Sequence, residues 1–172
     1  MSSRIPRQSA ESGLTPPDND AGLGAELSAV VAGARRRALR DGDRQIDTAH
    51  LLHSLLESDA EVRGLFDEEG RLARLLGYLV QRSIGYGLRW QGTVEDSGAV
   101  AVAADPGWSP AAAGAMERAR RDADVRGGGP ARGLDLFAQL VADPRSRAVE
   151  VLAHAGVGVP GAPGRARAES SR

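Results

Sequence analysis

The 172-residue chain contains no cysteine, and all 22 of its basic residues are arginine, so lysine is absent as well. Without cysteine the protein has no disulfide, no thiol nucleophile and no zinc–thiolate site. Without lysine it has no Schiff-base chemistry and no Walker-type phosphate-binding loop, which needs a lysine after its glycines. These two absences exclude several large classes of enzyme before any motif is considered.

Aromatic residues are also scarce, at 3% of the chain. A core built from Leu, Val and Ala favours helices, because strands prefer aromatic and β-branched residues. No apolar run approaches the ~20 residues of a membrane span, and the N-terminus lacks the apolar segment of a secretory signal. With a net charge of −1, the overall field gives no help to nucleic-acid binding. We therefore expect an all-α, cytoplasmic protein that binds neither nucleic acid nor membrane.

The most informative feature that is present is an apolar pattern that occurs twice, in residues 47–70 and 133–156. At a constant shift of 86 residues the apolar positions and the final glycine coincide without a gap: Leu51 on Phe137, Leu55 on Val141, Val62 on Ala148 and Gly70 on Gly156. A duplication kept in its apolar positions indicates two copies of one helical unit that pack together. Such an architecture is more typical of a binding scaffold than of an enzyme.

Helical spacing and helix-start signals predict seven helices. The first covers about 23–40, and Asp47 is a good N-cap for the second. Ser58 or Asp59 begins a short third helix, and the fourth covers about 71–84. Ser109 with Pro110 begins the fifth helix, which runs to about 125. The sixth covers about 134–142, and the seventh starts at Asp143-Pro144 and ends at Gly156.

These helices divide the chain into a core and two polar ends. Residues 1–22 are expected to form a disordered arm, and 158–172 a disordered tail. The core of 23–157 consists of repeat one (23–84), a Gly-rich linker (85–108) and repeat two (109–157). Trp90 and Trp108 fall in the linker; they either form part of a peptide-binding surface or only anchor the linker.

The start of the second predicted helix resembles a known family signature. Asp47-Thr48-Ala49-His50-Leu51-Leu52 is similar to the Gly-Thr-Glu-His and following aliphatic run that begin the second helix of each repeat in the Clp N-terminal domain. Asp47, Thr48, His50, Leu51 and Leu52 carry this structural motif. With the duplication and the closing segment 152–157, the resemblance covers about residues 24–157.

The resemblance implies an all-helical, pseudo-twofold module like those at the front of the Clp unfoldases ClpA and ClpC, which recruit substrates and adaptors without catalysis of their own. It implies protein or peptide ligands, a Clp ATPase as one partner, no cofactor and no catalytic residue. Because no Walker sequence is present, the chain is expected to be a stand-alone N-domain. It would serve as an adaptor or substrate-recognition factor, or as a decoy for peptides or cyclic-peptide antibiotics.

In ClpC-type domains the motif glutamate helps to bind phosphorylated arginine, and this chain departs from that pattern. The resemblance places Ala49 at the glutamate position of the first copy. In the second copy it places Asp135 there, with Leu134 and Leu136 at the flanking Thr and His positions. Thr48 and Asp135 are accordingly the candidate ligand-binding residues of the motif.

Other clusters have both a functional and an ordinary interpretation. His50 and His53 lie one helical turn apart and are the alternative centre, that of a small metal-dependent enzyme, although no fourth ligand is evident beyond Asp47. Glu68-Glu69 is interpreted as a solvated helix end. The arginines of the first helix, Arg35, Arg36, Arg37 and Arg40, are either a binding site for phosphate or nucleic acid or a solvated face; the second interpretation is preferred, because consecutive helical residues point in different directions.

Overall fold

The computed structural model describes residues 23–68, 70–84 and 107–161. Seven helices and two short strands occur in these ranges: α1 (Ala25–Asp41), β1 (Gln45–Ile46), α2 (Thr48–Ser58), α3 (Ala60–Gly64), α4 (Arg71–Ser83), β2 (Gly107–Trp108), α5 (Pro110–Arg126), α6 (Gly133–Leu140) and α7 (Arg147–His154). The all-α prediction is confirmed. The predicted arm (1–22), most of the predicted linker (85–106) and the tail from 162 lie outside the described residues.

Helix α2 forms the centre of the molecule. It contacts each of the other six helices, whereas α1 packs mainly on α2 and α5 mainly on α6. Its four leucines, Leu51, Leu52, Leu55 and Leu56, are fully buried. The core is one continuous cluster that draws residues from all seven helices. At its middle, the rings of Phe66 and Phe137 meet edge to face with centroids 5.7 Å apart, so the two halves share a single core.

A two-stranded parallel sheet, which the sequence did not predict, ties the segment before α2 to the segment before α5. Gln45 pairs with Gly107 and Ile46 with Trp108, and the Ser109 amide donates to the Ile46 carbonyl at 2.9 Å. The last two residues of the predicted linker therefore belong to the fold.

The buried positions of α1 and α5 coincide at a shift of 85 residues: Leu27 with Ala112, Val30 with Ala115, Val31 with Met116, Ala34 with Ala119 and Ala38 with Ala123. The same shift aligns Asp47 with Arg132, the N-caps of α2 and α6. The predicted shift of 86 aligns residues later in each half, where Gly70 and Gly156 both adopt positive φ. One extra residue therefore lies between α6 and α7, and pseudo-twofold symmetry of the two halves stays a prediction.

The seventh helix begins later than predicted. Its N-cap is Ser146, whose hydroxyl accepts from the Val149 amide, so Asp143-Pro144 lies in the preceding turn and does not begin the helix. The Ser146 hydroxyl also donates to the Leu140 carbonyl at 2.9 Å, which closes this turn against the end of α6. At the other end, Val159, in the predicted tail, is partly buried against the core.

None of the helices within the described ranges combines the length and the apolar character that crossing a bilayer requires.

Candidate functional site

The residues of the family-like motif form a buried polar cap at the start of α2. Asp47 is 1% exposed, and its Oδ1 accepts from the His50 amide at 2.8 Å. The His50 ring returns toward the same turn, with Nδ1 3.1 Å from both the Asp47 amide and the Asp47 Oδ1. The motif therefore fixes the first turn of α2 through reciprocal contacts between its first and fourth residues.

The same cap joins the two halves of the molecule. The Arg147 guanidinium, at the start of α7, donates to Asp47 Oδ2 at 2.9 Å. The Ala148 amide lies in the first turn of α7 and has no partner within that helix; it donates to Thr48 Oγ1 at 3.0 Å. Thr48 is 1% exposed. The side chains of Asp47 and Thr48 are thus engaged in holding α7 against α2.

On the outer side of His50, two further carboxylates approach the ring. Nε2 of His50 lies 2.8 Å from Asp43 Oδ2 and 3.8 Å from Asp41 Oδ2. Burial opposes the charged imidazole, but the Asp47 and Asp43 carboxylates outweigh it and raise the pKa of His50 to about 10. Burial also raises the pKa of Asp41. The carboxylates on both sides of the ring therefore favour the charged form of His50.

His53 is in the opposite electrostatic situation. Burial and the nearby Arg37 lower the pKa of His53 to about 4, and the Glu57 carboxylate at 3.6 Å only partly offsets them. Within the described part of the chain, the cluster that brings metal-ligating atoms together is Asp41, Asp43 and His50. The structure therefore groups His50 with aspartates from the end of α1 and does not pair it with His53.

An open cavity lies where α5 meets the connection between α6 and α7. It has a volume of about 250 Å³ and is lined by residues from both halves, namely Thr48, Ala111, Arg118, Gln139, Leu140, Asp143, Arg145 and Ser146. A wider depression of about 450 Å³ shares Arg118, Asp143 and Arg145 with it. We call the two together the α5–α7 groove. The Arg118 Nε donates to Gln139 Oε1 at 3.0 Å, which holds the guanidinium along the groove.

Asp135, the candidate acceptor of the second half, caps α6. Its Oδ2 accepts from the Arg132 amide at 2.8 Å and from the Arg126 guanidinium at 2.6 Å. At the shift of 85 residues, Asp135 corresponds to His50, and Leu134 corresponds to Ala49. The sequence alignment had placed Asp135 opposite Ala49. At this shift the residue that corresponds to Ala49 is therefore apolar, and Asp135 is not opposite Ala49.

The remaining candidates are dispersed. Trp108 is half-buried against the core in β2, which fits the anchoring interpretation, and Trp90 lies outside the described residues. Glu68 is exposed beside Arg71, and Glu69 lies outside the described residues.

The four arginines of α1 do not form one surface. Arg37 is turned inward to an ion pair with Glu57, whereas Arg36 and Arg40 are exposed. The solvated-face interpretation therefore describes Arg36 and Arg40 but not Arg37.

Sequence reasoning missed Arg118, Arg145, Arg147, Asp41 and Asp43. Asp41 ends α1 and Asp43 lies two residues further on, both less than ten residues before His50, so their short spacing from the motif was a usable signal. Arg147 meets Asp47 across a separation of 100 residues, and no local pattern in one sequence reports such a contact.

No protein-family model matches this chain, and no curated protein shows significant sequence similarity to it.

Proposed function

We propose that the protein is a non-catalytic, cytoplasmic module that binds proteins or peptides and serves the Clp protease system as an adaptor or substrate-recognition factor. The α5–α7 groove is the observation that carries this proposal. The groove is open to solvent, whereas the polar side chains of the motif are used to join α2 and α7. The resemblance to Clp N-terminal repeats supports the choice of partner system.

The dimensions of the groove favour a peptide segment. Its deeper part, at about 250 Å³, is smaller than the roughly 300–1,000 Å³ that encloses a whole small-molecule ligand, whereas the adjoining depression of about 450 Å³ is within that range but too open to enclose one. It would accept one side chain or a chain terminus, while the adjoining depression would hold neighbouring residues of the same peptide. A groove of this form has no need of a catalytic group.

The charges in the groove favour an acidic ligand. Arg118 and Arg145 contribute two guanidinium groups, and the side chain of Arg145 is 72% exposed. Asp143 is the acidic residue that lines both depressions; its Oδ1 accepts from the Arg145 amide at 2.9 Å and lies 3.7 Å from the Arg145 Nε, so it offsets part of the positive charge and one net positive charge remains. Guanidinium groups bind carboxylates in a planar, bidentate geometry, so a peptide with an acidic side chain is the expected ligand. Phosphoarginine recognition through the motif glutamates is not part of this proposal, because Ala49 and Leu134 occupy those positions.

A charge series of labelled peptides tests the groove. Fluorescein-labelled decapeptides with Glu, Gln or Lys at the central position are titrated with the full chain, and binding is followed by fluorescence anisotropy. The Glu peptide should bind most tightly. The double variant Arg118→Ala/Arg145→Ala should weaken it at least tenfold, or about 1.4 kcal/mol.

Arg121→Ala is the matched control. Arg121 lies on the same helix as Arg118 and is exposed, but it pairs with Glu117 rather than lining the groove. Its removal should leave peptide affinity unchanged. Equal binding of all three peptides, or an undiminished affinity of the double variant, would refute the groove as the binding site.

The connection with Clp is tested separately, by affinity capture of cytosolic proteins on the tagged full chain with mass-spectrometric identification. Recovery of Clp ATPase subunits, reduced by the groove variant but not by Arg121→Ala, supports the adaptor role. Retention of a cyclic-peptide antibiotic without any Clp ATPase would instead identify the decoy role.

A further inference from the structure

The end of α1 and the start of α2 bring three potential metal-ligand atoms together. Asp41 Oδ2, Asp43 Oδ2 and His50 Nε2 all lie within 4.8 Å of one another. Asp41 is the last residue of α1, Asp43 follows its C-cap glycine, and His50 lies in the first turn of α2. The three ligand atoms therefore sit on two helix ends that the fold fixes relative to each other.

From this juxtaposition we propose that Asp41, Asp43 and His50 bind one divalent transition-metal ion, of which Zn²⁺ is the best fit. An imidazole nitrogen with two carboxylate oxygens is a donor set that Zn²⁺ accepts. Solvent water completes the coordination, since the side chain of Asp43 is 49% exposed. This site is independent of the α5–α7 groove and of the proposed peptide binding.

The distances between the ligand atoms are near those of a zinc site. With bonds of ~2.0–2.2 Å, two ligand atoms of a tetrahedral zinc ion lie about 3.3–3.6 Å apart. The measured separations from His50 Nε2 are 2.8 Å to Asp43 Oδ2 and 3.8 Å to Asp41 Oδ2. They lie on either side of the required range, so small rotations of two carboxylates would produce the coordinated geometry.

The surroundings of His50 are those of a metal ligand. Metal-binding histidines commonly contact a carboxylate through the ring nitrogen that faces away from the metal, which fixes the orientation of the ring. Here Nδ1 lies 3.1 Å from Asp47 Oδ1, and Arg147 holds the other oxygen of that carboxylate. This contact leaves Nε2 directed toward Asp41 and Asp43.

The polar contacts of the Asp41 carboxylate are long. Its side chain is only 16% exposed, its contact with His50 is 3.8 Å, and its hydrogen bond from the Ser83 hydroxyl is long, at 3.3 Å. It also sits at the C-terminal end of α1, where the helix dipole disfavours negative charge and favours a cation. A bound dication would replace the proton between His50 Nε2 and Asp43, and it would place two positive charges beside the two carboxylates.

Zinc binding to the untagged, chelator-treated full chain tests the proposal at neutral pH. We expect one Zn²⁺ per chain by native mass spectrometry, an increase in melting temperature, and a competition titration against a chromophoric chelator that gives the affinity. Co²⁺ should give visible d–d bands without thiolate charge transfer, because the chain has no cysteine.

Asp43→Asn and Asp41→Asn should each weaken zinc binding at least tenfold while the far-UV circular dichroism of the metal-free protein stays unchanged. Asp43 is half-exposed and outside the helices, so its substitution leaves the α2 cap in place. Asp124→Asn, at an exposed position on α5, is the matched control and should bind zinc as the wild type does. His53→Gln should also leave zinc affinity unchanged.

Two results would overturn the site. One is the absence of saturable uptake when zinc exceeds the protein concentration. The other is binding that Asp43→Asn and Asp41→Asn do not weaken, or that His53→Gln abolishes, because the ion would then be held elsewhere.

Discussion

Two histidines one helical turn apart have opposite protonation states, and their neighbours explain the difference. His50 faces the carboxylates of Asp43 and Asp47, which raise its pKa to about 10. His53 is buried beside Arg37, and its pKa falls to about 4. The burial of both rings disfavours charge, so the neighbouring side chains decide the outcome. At neutral pH, His50 is charged in the metal-free protein and His53 is neutral.

The pKa of His53 makes stability depend on pH. In the unfolded chain His53 takes up a proton below its ordinary pKa of 6.5, whereas in the folded protein it stays neutral until about pH 4. Folding stability should therefore be complete above pH 6.5 and fall as the pH decreases toward 4, by about 2 kcal/mol between pH 7 and pH 5 from this residue. Urea unfolding of the wild type and His53→Gln across this range measures the difference.

His53→Gln should reduce the decrease between pH 7 and 5 by about that amount. Identical pH profiles for the two proteins would mean that His53 does not titrate differently in the folded and unfolded states.

The ion pair of Arg147 with Asp47 provides a second prediction for single residues. Both side chains are largely buried, at 12% and 2% exposed. Arg147→Met would leave the Asp47 carboxylate without its guanidinium partner, and the cost should be about 3 kcal/mol. Arg121→Met removes an exposed pair and should change the free energy of unfolding by less than about 0.5 kcal/mol.

In a double-mutant cycle, Asp47→Asn should recover part of the loss caused by Arg147→Met, because no buried charge then remains unpaired. Additive losses would show that the two side chains do not interact energetically. Thermal or urea unfolding of the four proteins supplies the cycle.

At the scale of the helices, α1 and α2 approach closely because Gly33 has no side chain. The hydroxyl of Ser54 occupies the space that a Cβ at Gly33 would need, and it donates to the Val30 carbonyl at 2.6 Å. Ser54 thus replaces an apolar contact with a hydrogen bond to the backbone of α1. A glycine in a helix interior otherwise costs about 1 kcal/mol, so its presence here indicates a packing requirement.

Two glycine-to-alanine substitutions separate packing from helix propensity. Gly33→Ala should destabilise the protein by about 1–3 kcal/mol, since the new methyl group overlaps Ser54. Gly77→Ala, in the interior of α4 with nothing within 4 Å of the added Cβ, should stabilise it by about 0.5–1 kcal/mol. Stabilisation by Gly33→Ala would show that α1 and α2 separate at little cost; urea unfolding measures both variants.

The helices could be predicted from the sequence to the extent that local signals define them. Asp47, Asp59 and Ser109 are N-caps as expected, because a cap is determined by residues within one turn. The predicted start of α7 was wrong, because Asp143-Pro144 carries the same local helix-start signal as Ser109-Pro110 but lies before the helix. The hydrogen bond from Ser146 to Leu140, a tertiary requirement of the turn, determines where that helix begins.

Contacts between distant parts of the chain were beyond sequence reasoning for a physical reason. The parallel pairing of β1 with β2 involves two residues on each side, which is too short to show a hydrophobic alternation. The N-caps of α2 and α6 align at a shift of 85 residues and not at the predicted 86, and apolar residues are frequent enough in α6 to match at either shift. The shift of 86 places Asp135 opposite Ala49, whereas the shift of 85 places Leu134 there. The expectation that Asp135 contacts a ligand depended on the first of these alignments.

For the whole molecule, the shared core and the polar junction at α2 bind the two halves into one unit. Phe66 meets Phe137, and Asp47 and Thr48 hold the start of α7. Neither half would retain these contacts by itself. The resemblance of the motif to Clp repeats led to the expectation of two similar units, and the described contacts show how residues of the motif connect them.

We therefore predict that the two halves unfold in one cooperative transition. Trp108 fluorescence, measured in a Trp90→Phe background, reports on the segment before α5, whereas far-UV circular dichroism reports on all helices. Both urea curves should have the same midpoint. Leu55→Ala in α2 and Leu140→Ala in α6 should each cost about 2–5 kcal/mol, and each should shift both curves equally, because both side chains belong to one cluster. If Leu55→Ala shifted the dichroism curve and left the Trp108 curve in place, the halves would unfold separately and the polar junction at α2 would not couple them.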